Sequence, residues 1–161
     1  MDLRFTQDKK WFGYGAKAII IEDNQVLMIT KDSHDYYYPV GGGVMHGETA
    51  EEAVVREVFE ETGIKYQVDR LAFIYESFFD GNNDSAFKNM DCHEISLYFL
   101  MKPQGIKHDF KSNSFGLDGV KEKLCWLPIR SLDKIKLYPQ FFKTYLNNMP
   151  TQVRHIVIKH L

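Results

Sequence analysis

The chain has 161 residues, 44% of them hydrophobic and 26% charged, with a formal net charge of −2. That length predicts one domain over 1–161 with a sizeable core, and the weak charge gives no footing for nucleic-acid binding or for a membrane surface. No stretch approaches the roughly 18 apolar residues of a membrane span, Cys92 and Cys125 form no CxxC pair, and the start MDLRFTQDKKWFGYG lacks a signal-peptide core, so a cytoplasmic protein is the expectation.

Taken in order, the elements alternate between strand and helix patterns. YGAKAIIIEDNQVLMITK predicts two strands, about 14–21 and 26–31, around the turn Glu22-Asp23-Asn24-Gln25. YYYPV predicts a short aromatic strand running into Gly41, Gly42 and Gly43. A helix follows at about 50–62. YQVDRLAFIYESFF and HEISLYFLMK are the next strands, rich in β-branched and aromatic residues, with the polar loop DGNNDSAFKNMDC between them. A longer polar stretch, PQGIKHDFKSNSFGLDGVKEK, precedes the strand candidate LCWLPI; a second helix is predicted at about 138–148 and an edge strand in VRHIVIK.

The first helix is well punctuated. Thr49 and Glu52 have capping-box spacing, and Gly63 is placed to end the helix in a left-handed conformation. At about 100° per residue, Glu57, Glu60 and Glu61 share a face. Ala50 and Ala53 lie on that face, and Val55, Val58 and Phe59 are expected to point the other way, into a core. Like charges at i and i+4 cost about 0.2–0.5 kcal/mol, and anions near the negative helix end cost about 0.3–1 kcal/mol. Arg56 offsets part of this as an i, i+4 partner of Glu60. The helix alone leaves two readings: a solvated acidic face, or a carboxylate cage for a hard cation such as Mg²⁺.

The flanking residues decide between them. Gly42, Glu48, Arg56, Glu57, Val58, Glu60, Glu61, Gly63 and Ile64 fill every defined position of the pattern G-x5-E-x7-R-E-U-x-E-E-x-G-U, with U a bulky aliphatic residue. The stretch resembles the signature of the Nudix hydrolases. One departure is visible: many members place Pro directly before the glycine pair, whereas Val40 here separates Pro39 from Gly41.

The resemblance implies an α/β fold, an α/β/α sandwich with a mixed sheet and the signature as loop–helix–loop. It implies hydrolysis of a pyrophosphate bond in a nucleoside diphosphate linked to another group, with Mg²⁺ (or Mn²⁺) held by Glu57, Glu60 and Glu61. Arg56 then orients the glutamates, and Glu48 either anchors the loop or reaches the metal through water. Gly41, Gly42 and Gly43 let backbone N–H groups approach a bound group. Tyr38 is the stacking candidate for a base. The general base stays open between Glu57, a later strand acid, Glu94, and the loop acids Glu122 and Asp118. Alternation puts Glu94, Ser96 and Tyr98 on one face of their strand. Glu94, at the start of that strand, is expected nearer the metal site than Glu122, which Lys121 and Lys123 flank on a loop.

His34, His46 and His93, and the aromatic pair Phe78 and Phe79, are weaker candidates for ligand contact, as are Asn82 and Asn83. RHIVIKHL either closes a homodimer by strand addition or covers a sheet edge. Two alternatives accompany the hydrolase reading: a nucleotide sensor of the same fold without catalysis, and an isoprenoid diphosphate isomerase, which would need a catalytic cysteine. Nothing after the signature assigns one nucleoside diphosphate derivative as substrate.

Overall fold

A computed structural model of the chain describes residues 1–83, 87–110 and 119–160, with the backbone alone for Asn83. The described strands are β1 (Arg4–Gln7), β2 (Lys10–Ile19), β3 (Ile21–Glu22), β4 (Gln25–Lys31), β5 (Tyr38–Pro39), β6 (Gly41–Gly43), β7 (Val68–Asp80), β8 (Asp91–Met101), β9 (Glu122–Pro128) and β10 (Arg154–His160). Helix α1 covers Ala50–Thr62 and helix α2 covers Phe141–Tyr145.

One sheet runs β1-β2-β8-β7-β10, with β6 added beside β2; the other runs β3-β4-β5, with β9 on the second edge of β4. The first sheet is mixed: β2 pairs parallel to β8 and β10 parallel to β7, and the remaining pairs are antiparallel. The turn between β3 and β4 sets Asp23 and Asn24 at φ 48 and 57, the left-handed pair that suits a tight hairpin.

Strand alternation sorts the apolar residues into two cores. Ala16, Ala18, Leu27, Ile29, Phe99 and Met101 join Ala53, Val54 and Val58 of α1 in the first. Ile19, Val26, Met28, Phe73 and Tyr98 join Leu132, Phe141 and Phe142 in the second. Residues one apart in sequence face opposite layers, as a period of two requires. The layers are therefore α1 on one side of the sheets and a 3-10 helix (Ile129–Lys134) with α2 on the other, an α/β/α sandwich.

Several expectations need correction. Strand β2 starts earlier than expected, at Lys10, and β1 has no counterpart in the predicted elements; its four residues are all exposed, so it shows no alternation. The second helix shrinks from 138–148 to five residues. Pro139 biases Tyr138 away from helical backbone, which delays the start. On α1 the buried residues are Ala50, Ala53, Val54 and Val58, while Phe59 is 45% exposed. Of the expected core face only Val58 is buried, with Val55 packed partly against it. The helix turns its alanines inward because β2 and β6 pass close beneath it. Glu57 and Glu61 share that inward face, so the site and the core lie on one side of α1.

Candidate active site

Helix α1 begins as its sequence requires. The Thr49 hydroxyl accepts the Glu52 N–H at 3.2 Å, and the Glu52 carboxylate accepts the Thr49 N–H at 2.8 Å. Gly63 ends the helix at φ 73, its N–H donating to the Phe59 carbonyl at 2.8 Å. These caps fix where the helix begins and ends, and packing against β2 and β6 sets the direction of its carboxylates.

Arg56 ties the loop before the helix to the helix itself. Its Nε and Nη2 donate to the two oxygens of Glu48 at 2.8 and 3.0 Å, a two-pronged match. Its Nη1 donates to Glu57 Oε1 at 2.6 Å and lies 3.4 Å from Glu60 Oε2, and Nη2 also reaches the Gly43 carbonyl at 3.1 Å. Glu48 Oε2 accepts the Met45 N–H at 3.0 Å, so Glu48 anchors the loop. The Arg56 guanidinium holds the Glu48 carboxyl below the usual carboxylate range, and Glu48 in turn raises Arg56.

The three signature glutamates on the helix, Glu57, Glu60 and Glu61, occupy different surroundings. Glu60 sits at the rim, with its side chain 55% exposed. Glu57 lies against Gly42, where a Cβ would come within 2.5 Å of the carboxylate. Glu61 is the buried one. Burial first, and then the charge of Glu122, push its carboxyl up to about 8; Lys17 and the Gly41 N–H oppose them. Glu61 Oε2 is buried without a hydrogen-bond partner. Among the described residues no three His, Cys, Asp or Glu side chains stand gathered as a metal cage.

Glu122 departs from its expected place. It opens β9 opposite Lys31 of β4 and is buried, not screened on a solvated loop. The Tyr38 hydroxyl donates to Glu122 Oε1 at 2.7 Å, and Lys31 Nζ lies 3.8 Å from the same oxygen. Burial and that bond raise the Tyr38 hydroxyl far above its ordinary range. Glu122 is the largest charge acting on Glu61, and Glu94 is not among the main ones. Among the described residues outside the signature, Glu122 is therefore the acid whose charge acts most on Glu61. Asp118 lies outside the described residues.

Glu94 lines a neighbouring cleft of about 190 Å³ with Lys17, Tyr38, Tyr75, Tyr98 and Tyr138. The Ser96 hydroxyl donates to Glu94 Oε1 at 2.5 Å. Lys17 was not among the sequence candidates; its signal is an isolated cation in the small and apolar run GYGAKAII of β2. The glycines also take a more specific position than expected. The Gly41 N–H favours the ionised form of Glu61, Gly41 lies against Ala16 and Lys17 of β2, and Gly42 brings β6 under the helix at Glu57.

The weaker candidates fall elsewhere. His93 Nε2 pairs with Glu76 at 2.8 Å, and its ring stacks on Phe78 at 4.1 Å. His34 stacks on Tyr36 at 4.5 Å. Phe79 meets the rings of Trp11 and Phe87. Cys92 is buried and burial pushes the Cys125 thiol up to about 11, the wrong direction for an activated cysteine. No helix among the described residues is long and apolar enough to cross a membrane.

Comparison with known proteins identifies the family and the fold. The NUDIX domain family profile matches residues 11–147. A MutT-like protein of Streptomyces ambofaciens is 31% identical over 126 residues, 74% of each chain. An ADP-ribose pyrophosphatase of Methanocaldococcus jannaschii is 44% identical over 87 residues, 52% of this chain and 47% of that protein. The MutT protein of Bacillus halodurans shares the fold at a TM-score of 0.66 and 20% identity, over 92% of this chain and 91% of that one. With the full signature arranged around Arg56 and a profile match over most of its length, the chain belongs to the Nudix hydrolase family.

Proposed function

We propose that this protein is a Mg²⁺-dependent hydrolase that cleaves a pyrophosphate bond in a nucleoside diphosphate linked to another group. The observation that carries the reading is Glu61: a buried carboxylate with one oxygen lacking any hydrogen bond, set near Glu57 and Glu122. An all-oxygen set of carboxylates suits a hard divalent cation and lacks the thiolate and imidazole ligands that favour zinc. Glu57, Glu60 and Glu61 would hold the ion, with Glu122 as the added acid. When bound, it neutralises charge on the diphosphate and on the carboxylates.

The chain's own groups supply the rest. Arg56 fixes Glu57 through Oε1 and keeps the loop of Gly41–Gly43 against the helix. Lys17, close enough to Glu61 to stabilise its charge, is the cation available to a phosphate oxygen beside it. Glu57 is the carboxylate assigned to take the proton from an attacking water; its attachment to Arg56 leaves it oriented before substrate arrives. The pyrophosphatase named for the Methanocaldococcus relative is consistent with this reaction type.

The test is a panel of nucleoside triphosphates, dinucleotides and nucleotide sugars incubated with Mg²⁺, with chromatographic detection of mononucleotide, phosphate and pyrophosphate. Release from at least one class is expected, abolished by chelation, restored by Mg²⁺ or Mn²⁺, and reduced by several orders of magnitude in Glu61→Gln. Full activity after exhaustive chelation, or no release from any class, would overturn the reading.

A further inference from the structure

Three backbone bonds close a ring at the foot of the signature loop. The Leu3 N–H donates to the Val44 carbonyl at 2.7 Å, the Val44 N–H to the Tyr14 carbonyl at 3.0 Å, and the Tyr14 N–H to the Leu3 carbonyl at 3.1 Å. Each residue gives one donor and takes one acceptor. Tyr14 belongs to β2, Val44 follows β6 directly, and Leu3 lies just before β1. Val44 is fully buried, and Leu3 packs against the same core. A bond lost at such a place is not replaced by one to water.

The pairing continues one residue along. Asp2 bridges antiparallel to Met45. The bonds come from their neighbours, Leu3 N–H to Val44 on one side and the His46 N–H to the Met1 carbonyl, at 2.9 Å, on the other. In an antiparallel pair of that kind the facing residues exchange no bond with each other, and their own N–H groups point outward. The Met45 N–H is therefore turned away from Asp2, and it donates to Glu48 Oε2 at 3.0 Å. Residues 44–46 are thus held along one edge by Asp2 and Leu3, and along the other they offer the donor that fixes Glu48. The same Glu48 oxygen accepts Arg56 Nη2 at 3.0 Å, and Arg56 Nη1 holds Glu57 at 2.6 Å. Arg56 Nη2 also reaches the carbonyl of Gly43, on which Asp2 packs: a Cβ on Gly43 would stand 3.1 Å from Asp2 Oδ2. A run of hydrogen bonds leads from Leu3 to a carboxylate assigned to the metal.

We propose that Asp2 and Leu3 form a strap that positions the signature loop, and that the Leu3 N–H, outside the signature, helps set metal affinity by keeping Glu48 and Arg56 aligned on Glu57. The consequence for metal rests on the hydrolase reading; the consequence for Arg56 does not.

Leu3→Pro removes the donor, whereas Leu3→Ala trims the side chain and keeps it. Hydrogen exchange of the Arg56 Nε–H, followed by nitrogen-edited NMR, reads the strap in metal-free protein. Leu3→Pro should speed that exchange by about tenfold or more, as a local opening does; Leu3→Ala should stay near the wild-type rate. Mn²⁺ titration by electron paramagnetic resonance should give a dissociation constant raised about tenfold in Leu3→Pro, the low end for groups that orient ligands. The assignment is overturned if a folded Leu3→Pro keeps the wild-type exchange rate or the wild-type Mn²⁺ affinity. It is equally overturned if Leu3→Ala loses as much as Leu3→Pro, which would place the effect in packing. A wild type that binds no Mn²⁺ and hydrolyses nothing would sink the hydrolase reading, and the exchange rates alone would then decide the strap. The wild type also gives a test that needs no variant. Every opening of the Leu3 bond should free Arg56, so the Arg56 Nε–H should be protected no more strongly than the Leu3 N–H. Stronger protection at Arg56 overturns the strap whether or not Leu3→Pro folds.

Discussion

A Cβ on Gly42 would stand 2.5 Å from the carboxylate of Glu57, closer than real Cβ contacts come. Strand β6 and helix α1 are thus in contact through the very residues the site needs. Gly41 differs: its φ is 139, and a Cβ would strike the Ala16 carbonyl at a distance no contact permits. Gly42→Ala should displace a side-chain carboxylate, keep the fold and lower turnover by at least tenfold. Gly41→Ala should lower stability by more, because backbone strain and a backbone clash combine. Thermal melts and kcat on both variants check this; equal melting temperatures would contradict the contrast.

Arg56 is expected to resist replacement by lysine. An ammonium cannot bond both Glu48 oxygens in the fork that Nε and Nη2 make while also reaching Glu57 and the Gly43 carbonyl. Arg56→Lys should cost about 10–100-fold in activity or metal affinity, the range for groups that orient ligands. Mn²⁺ titration followed by electron paramagnetic resonance would separate lost affinity from lost turnover.

The metal-free protein should lose stability as pH rises. Glu61 is raised from 4.5 to about 8 in the fold, chiefly by burial and then by Glu122. Between those values the folded chain holds a proton that the unfolded chain releases. The stabilisation is complete below about 4.5 and is lost as pH climbs through about 8, with a slope of at most about 1.4 kcal/mol per pH unit. Melting temperatures in chelator at pH 5 to 9 should fall less in Glu61→Gln than in the wild type. Saturating Mg²⁺ should flatten the wild-type curve, because the cation favours the ionised carboxylate. Parallel curves for the two proteins would show that Glu61 does not titrate as described.

Tyr38 should matter through Glu122. Tyr38→Phe removes the 2.7 Å bond to a buried carboxylate while keeping the ring. Leaving a buried acceptor with one partner fewer costs about 1–3 kcal/mol. Lowered Mn²⁺ affinity, shared with Glu122→Gln and not additive in the double variant, is the expected signature. Additive losses would mean that the two residues act separately.

Local order determined much of this protein directly. Thr49, Glu52 and Gly63 mark the ends of α1 through bonds that span three or four residues, and the structure places the helix over Ala50–Thr62 as those marks require. The signature spacing likewise carries the Arg56 contact to Glu60, because helical geometry brings i and i+4 side chains together, whereas the contact to Glu57 needs the guanidinium to be held by Glu48 and the Gly43 carbonyl. Packing decided what periodicity could not. Which side of α1 turns inward depends on how near β2 and β6 come, and that proximity buried Ala53 and exposed Phe59. Glu122 and Tyr38 are 84 positions apart and meet only because β4 pairs with β5 on one edge and β9 on the other. Lys17 reads locally as one cation in an apolar strand, and Glu94 as the start of another. Their place at one cleft follows from the parallel pairing of β2 with β8. A contact between distant segments depends on sheet order and register, which the composition of each strand leaves undetermined.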